Sequence, residues 1–146
     1  VDGENDLLES QIEAEEKAFE EIKEKTGLDE FIFRYLPEGM EFESYDVDDI
    51  TDGIIIYYLY NEIIFCVQIN RSEKQEASYN YFDGEFSFKE NYVNSQNLEM
   101  EIWEAKQEGD NTVYAATFEH GDYYYMFNGE MEYEEFIKIL KFLVLD

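Results

Sequence analysis

The run Gly53 to Asn70, GIIIYYLYNEIIFCVQIN, restricts the fold more than any other stretch of this chain. It reads as two strands that turn at Asn61-Glu62. That register sets Tyr60 against Ile63, Tyr58 against Phe65, Ile56 against Val67 and Ile54 against Ile69. Side chains alternate faces along a strand, so one face of the hairpin is wholly apolar. The opposite face carries Leu59 with Ile64, Tyr57 with Cys66 and Ile55 with Gln68, and is largely apolar too. Apolar residues on both faces mark strands inside a sheet with material on each side. The turn asks for positive φ, which Asn accepts and Glu resists.

The totals agree with a β-rich body. A chain of 146 residues is one domain's worth and long enough to bury a core. Aromatics at 18%, among them 13 Tyr and 12 Phe, favour strands and exclude a disordered chain. The 37 acidic residues outnumber 10 basic ones for a formal net charge of -27. Such a field repels phosphate backbones and anionic lipid, so no nucleic acid and no membrane contact by this domain are expected. Solubility is the plain consequence of that charge; a divalent cation or a basic partner is the sharper one. A lone cysteine, Cys66, forbids a disulfide within the chain, and its place in the hairpin suggests a buried, inert thiol.

Around the hairpin the chain divides into residues 1–27, an acidic helical segment that is part of the domain or appended to it, and residues 28–146, a single α+β domain. In the first segment Leu8, Ile12, Phe19 and Ile22 share a stripe, and Thr26-Gly27 supplies the stop. Leu28 to Tyr35 fits a short helical turn or a strand. Pro37-Glu38-Gly39 is turn chemistry, after which Met40, Phe42 and Ser44 alternate with Glu41, Glu43 and Tyr45 in a first strand. Asp83-Gly84 marks a hairpin that would set Tyr81 against Phe86 and Tyr79 against Phe88. Leu98 to Ala105 alternates with Leu98, Met100 and Ile102 inward; Trp103 falls on the outer set, as a covered edge or a contact residue. Thr112 to Glu119 and Tyr123 to Phe127 follow, turning at His120-Gly121-Asp122, and Asn128-Gly129 ends the last strand. MEYEEFIKILKFLVL is then a helix, with Tyr133, Phe136, Ile137, Leu140 and Leu143 or Val144 on one stripe. The expected architecture is α+β: an antiparallel meander of about six to seven strands, an N-terminal helix and a C-terminal helix packed on it.

Catalytic and metal chemistry find little to stand on. The only histidine, His120, sits in a tight turn, and nucleophilic catalysis needs a base beside its nucleophile. Asp46, Asp48, Asp49 and Asp52 cluster in one loop, but an EF-hand register from Asp46 puts Ile50 and Thr51 at its fifth and sixth positions. With 37 acids, some carboxylate pair falls at any chosen distance by chance. No enzymatic activity, no cofactor and no metal are expected.

Three segments carry a resemblance: RYLPEGMEFESY, YYLYNEIIFCVQI and ATFEHGDYYYMFNGEMEYEEFIKILKFL. A Tyr35-Leu36-Pro37-Glu38-Gly39 turn leads into a strand, a Tyr-rich hairpin ends in a Gln-containing strand, and a His120-Gly121-Asp122 hairpin precedes a Glu-Glu-Phe helix. In this order the chain resembles the bacterial domain-of-unknown-function family 4367, from about Leu28 to the C-terminus. The resemblance implies the outer portion of a membrane-anchored or anti-sigma-like protein of Gram-positive bacteria. It therefore implies an extracytoplasmic location, tethered to the outer face of the cell membrane by an anchor outside this chain. It brings no functional residues with it.

The expected function is a non-enzymatic sensory or protein-interaction domain; the alternative is a carrier for a lipid or other apolar small ligand. An unknown protein or a small apolar ligand is thus the expected partner. With helices on one sheet face, the other is read as showing Tyr57, Leu59, Ile64, Tyr114, Phe118, Tyr124 and Trp103, unless the N-terminal helix covers it. Tyr57, Tyr114, Phe118, Tyr124 and Trp103 are the candidate binding residues. If the terminal helix docks through its stripe, Leu140→Ala will lower unfolding free energy by about 2–5 kcal/mol, read by urea denaturation.

Overall fold

The computed structural model describes residues 2–28, 31–33, 35–48, 50, 53–71, 86–106 and 112–145, with the side chains of 2–12 and 32 outside that description. The hairpin forms as its alternation requires. Strands β3 (Ile54–Tyr60) and β4 (Ile63–Arg71) pair in the expected register, from Tyr60 opposite Ile63 to Ile54 opposite Ile69. Asn61 and Glu62 both take positive φ, +50° and +67°, the twist a two-residue hairpin turn demands.

A seven-stranded antiparallel sheet runs in the order β2-β3-β4-β8-β7-β6-β5, with β2 Met40–Val47, β5 Ser87–Val93, β6 Glu99–Lys106, β7 Thr112–His120 and β8 Tyr123–Glu130. The meander comes in two parts, because β4 pairs with β8 rather than with β5. Burial explains the choice. In β8 four consecutive residues, Tyr124 to Phe127, are buried, whereas β5 is almost wholly exposed. The strand that is apolar on both faces takes the middle and the polar one takes the margin. Among the described residues β2 and β5 are the edges, and both carry a bulge with charged residues, which discourages pairing with other chains.

Both helices and a second, two-stranded sheet lie on one face. Helix α1 (Asp2–Thr26) buries Ala18, Phe19 and Ile22, while Leu8 and Ile12 of its stripe fall among the side chains outside the description. It stops at Gly27, where φ is +79° and the N–H donates to the Lys23 carbonyl at 2.8 Å. Next comes β1 (Phe31–Phe33), which resolves Leu28 to Tyr35 in favour of a strand. Helix α2 (Tyr133–Lys141) buries Phe136, Ile139 and Leu140. It is shorter than its apolar pattern: after Phe142 the chain becomes β9 (Leu143–Leu145) and pairs with β1. The carbonyl of Lys141 is taken by the Ser95 hydroxyl at 2.6 Å, and those of Leu140 and Leu143 by the Asn94 amide at 3.1 and 3.2 Å. The Asn94 carbonyl oxygen in turn accepts the N–H groups of Gln96 and Leu98 at 2.9 and 3.0 Å.

Two local readings change. The bulge between Phe42 and Ser44 shifts the phase of β2, so Tyr45 joins Met40, Phe42 and Val47 on the helix side. Asn128-Gly129 lies inside β8 instead of ending it, because Gly129 is where the Phe65 ring crosses the strand. A Cβ there would meet Phe65 Cδ2 at 2.6 Å and Met131 Cε at 3.2 Å. The hairpin at Asp83-Gly84 lies outside the described residues. Gly129→Ala must displace that ring and will destabilise by about 1–3 kcal/mol, measured by urea denaturation; an unchanged midpoint would mean that Phe65 does not fill the site.

Candidate functional site

Register decides which residues share the second face of the seven-stranded sheet, the one turned away from both helices. Tyr57 faces Cys66, Cys66 faces Asn128, Asn128 faces Ala115 and Ala115 faces Trp103, so these residues point away from the helices. The five residues singled out from the sequence therefore separate. Tyr57, Tyr124 and Trp103 stand on this second face. Tyr114 and Phe118 do not: Tyr114 lies 5.8 Å from the Phe136 ring of α2, and Phe118 stacks on Tyr125 at 4.9 Å with planes 4° apart. The large rings of β7 fill the gap beneath the helices, while Ala115 and Thr117 occupy its other face. Tyr124 is 3% exposed and offers little to a partner. Tyr57 on β3 and Trp103 on β6 are half-buried but four strand spacings apart, ~19 Å, so they belong to different ends of the face.

At the β6 end Trp103 packs with Phe86, Ala115 and Met126, and its Nε1–H donates to Thr117 Oγ1 at 3.2 Å. Phe88, 51% exposed, meets Trp103 edge-on at 5.6 Å. At the β3–β4 end Leu59 and Tyr57 are half-buried and Ile64 is 53% exposed. The second face thus presents apolar groups at both ends.

A groove of about 630 Å³ opens at the head of α2 and was not foreseen from the sequence. Tyr60, Asn61, Ile63, Thr112, Tyr114, Glu130, Met131, Glu132 and Glu135 line it. They come from five separate elements and the turns between them and share no spacing, so only the fold reveals them. Glu135 accepts the Tyr35 hydroxyl at 2.5 Å, and that bond raises the Tyr35 pKa. The Tyr133 hydroxyl is buried with no hydrogen-bond partner among the described residues, its ring 5.0 Å from Tyr114.

Reactive chemistry is sparse among the described residues. No group of three or more His, Cys, Asp or Glu is placed to hold a metal ion. In the aspartate loop Asp48 accepts the Ile50 N–H at 2.9 Å, a local turn; Asp49 and Asp52 lie outside the description. Burial pushes the Cys66 thiol up to about 11, so it is protonated near neutral pH. No helix among the described residues is long and apolar enough to cross a membrane.

Residues 30–143 match the family described as Domain of unknown function (DUF4367). The chain belongs to the DUF4367 family. No curated protein and no solved structure matches the chain. The DUF4367 match takes in β1, the seven-stranded sheet and α2, ends at the first residue of β9, and leaves α1 outside it.

Phenols hold α1 to the DUF4367 domain. The Tyr58 hydroxyl donates to Glu15 Oε1 at 3.0 Å, that of Tyr45 to Glu21 Oε2, and that of Tyr123 to the Thr26 carbonyl at 3.2 Å. The bond to Glu21 and partial burial push Tyr45 up to about 12; burial, then Glu15, pushes Tyr58 well above its usual 10.0. A pKa raised on folding means that the native state holds its proton more tightly. The stabilisation is therefore whole below pH 10 and is lost as pH rises through the folded values. Thermal melts should fall from pH 10 to about 12, and Tyr45→Phe should flatten part of that fall. Equal slopes in variant and parent would show that this hydroxyl does not couple docking to pH.

Proposed function

We propose that this DUF4367 domain is a non-enzymatic recognition domain, displayed outside the bacterial cell membrane by an anchor beyond this chain, where it senses or binds a partner protein. The observation that carries the reading is the one-sided packing. Both helices and the β1–β9 pair crowd one sheet face, and the other keeps Ile64 and Phe88 about half exposed beside Tyr57, Leu59 and Trp103. Exposed apolar side chains on a rigid sheet, here at both ends of one face, are the usual centre of a protein contact. Glu41, Asp46, Glu99, Glu101 and Glu119 are exposed on the same sheet, so a partner with basic groups around an apolar centre complements it.

The extracytoplasmic placement follows from the resemblance to membrane-anchored members of the family. A non-enzymatic role is supported by the protonated Cys66 thiol and by the position of His120 at the end of β7 beside a tight turn. A carrier of apolar ligands has less in its favour. The layer between sheet and helices is filled by touching rings, among them Phe31, Phe33, Tyr58, Phe65 and Phe127, and the groove at α2 is lined by carboxylates.

The test is a double substitution, Tyr57→Asp with Ile64→Asp, in the full chain, both positions being outside the core. Its thermal melt should match the parent while capture of a partner from cell-envelope extract drops about tenfold, roughly 1.4 kcal/mol. Undiminished capture by a normally folded variant would exclude this face.

A further inference from the structure

We infer that the groove at the head of α2 seats a basic segment of a partner protein, laying an arginine or lysine side chain against the Tyr60 and Tyr114 rings within reach of the Glu130, Glu132 and Glu135 carboxylates. This goes beyond the recognition reading and does not need the second sheet face, since Tyr60, Ile63 and Tyr114 belong to the helix side.

The lining states the chemistry of the occupant. Of the nine residues around about 630 Å³, three are glutamates, two are tyrosines and none is basic. Room on that scale takes several side chains at once. Asn61 and Thr112 add neutral acceptors, and Ile63 and Met131 supply an apolar floor for a long aliphatic stem. Glu132, the residue before α2, makes no capping bond with its side chain. Among the described residues four cations lie over tyrosine rings: Lys89 4.7 Å from the Tyr133 centroid, Lys138 5.2 Å from Tyr35, Lys25 5.7 Å from Tyr45 and Arg71 5.9 Å from Tyr123. The groove offers two such rings beside its carboxylates, with no cation among the nine residues that line it.

Charge narrows the choice of occupant. An anion would meet three carboxylates, and a second copy of the chain would bring another net charge of -27. A basic segment is instead drawn in by the field of the whole molecule. An extended peptide also suits a groove shared by a β-turn, two strand ends and a helix start.

The experiment is calorimetric titration of the full chain with an acetylated, amidated pentapeptide alternating alanine and arginine, against the same peptide carrying citrulline, its neutral isostere. The arginine peptide should bind at least about tenfold more tightly. Glu130→Gln with Glu132→Gln should weaken it about tenfold. Glu20→Gln with Glu24→Gln, which removes the same charge from the exposed side of α1, should change it less than about twofold. Equal binding of the citrulline peptide, or equal losses in the two double variants, would overturn the proposal; the citrulline comparison needs no variant to fold. Tighter binding of spermine than of the peptide would also overturn it in favour of a small amine, and groove-dependent self-association in sedimentation would do so in favour of a second copy. Loss of peptide binding leaves the second sheet face untouched, so the two readings fail separately.

Discussion

Phe31 joins everything that lies on the helix side. Its ring meets Phe19 of α1 at 5.0 Å, Phe33 at 5.3 Å, and Phe127 and Tyr125 of β8 at 6.2 and 6.3 Å. One side chain thus touches the N-terminal helix, its own short strand and the centre of the large sheet. Phe33 continues the layer to Tyr58 and Phe65, and Phe65 reaches Phe136 of α2 at 6.4 Å. Edge-to-face contacts of this kind each add about 0.5–1.5 kcal/mol to what burial alone supplies. The three-residue pairing of β1 with β9 has few hydrogen bonds and depends on this layer to hold it in place.

How much was legible in the sequence follows from the range of each signal. The β3–β4 hairpin was readable to the residue, since alternation and a two-residue turn fix a register locally. The stop of α1 at Gly27 and the docking of α2 through Phe136 and Leu140 were readable for the same reason. Long-range choices were not. Pairing of β4 with β8 depends on comparing the burial of β8 and β5, sixteen residues and more beyond the hairpin. Glu43 gives no local sign of the bulge that turns Tyr45 inward. In β7 both faces carry apolar groups, so alternation separated Tyr114 and Phe118 from Ala115 without telling which set the helices would cover. Asn94 reads as a loop residue until its four hydrogen bonds are seen.

Electrostatically the molecule is an acidic shell, and among the described residues four cations lie over tyrosine rings. Phenols do a second job where α1 docks, donating to the carboxylates of Glu15 and Glu21 and so seating them against the sheet. The candidate site inherits both habits. Its glutamates were too ordinary in a chain with 37 acids to stand out, and its tyrosines were scattered over β3 and β7. Only the arrival of β8 beside β4 and the start of α2 above them gather these groups into one recess.

The Asn94 clamp has a mechanical consequence. Its amide binds the carbonyls of Leu140 in α2 and Leu143 in β9, 46 and 49 residues away, and its oxygen closes the tip of the β5–β6 hairpin, so one side chain ties the hairpin to the end of the helix and the strand after it. Peeling the sheet margin away would strand those carbonyls, which burial makes costly. The margin and the rod's far end therefore yield together, as one stiff unit. A load applied at the β5 border would reach the β9 tail, and through β1 the root of α1, without passing through the middle of the sheet.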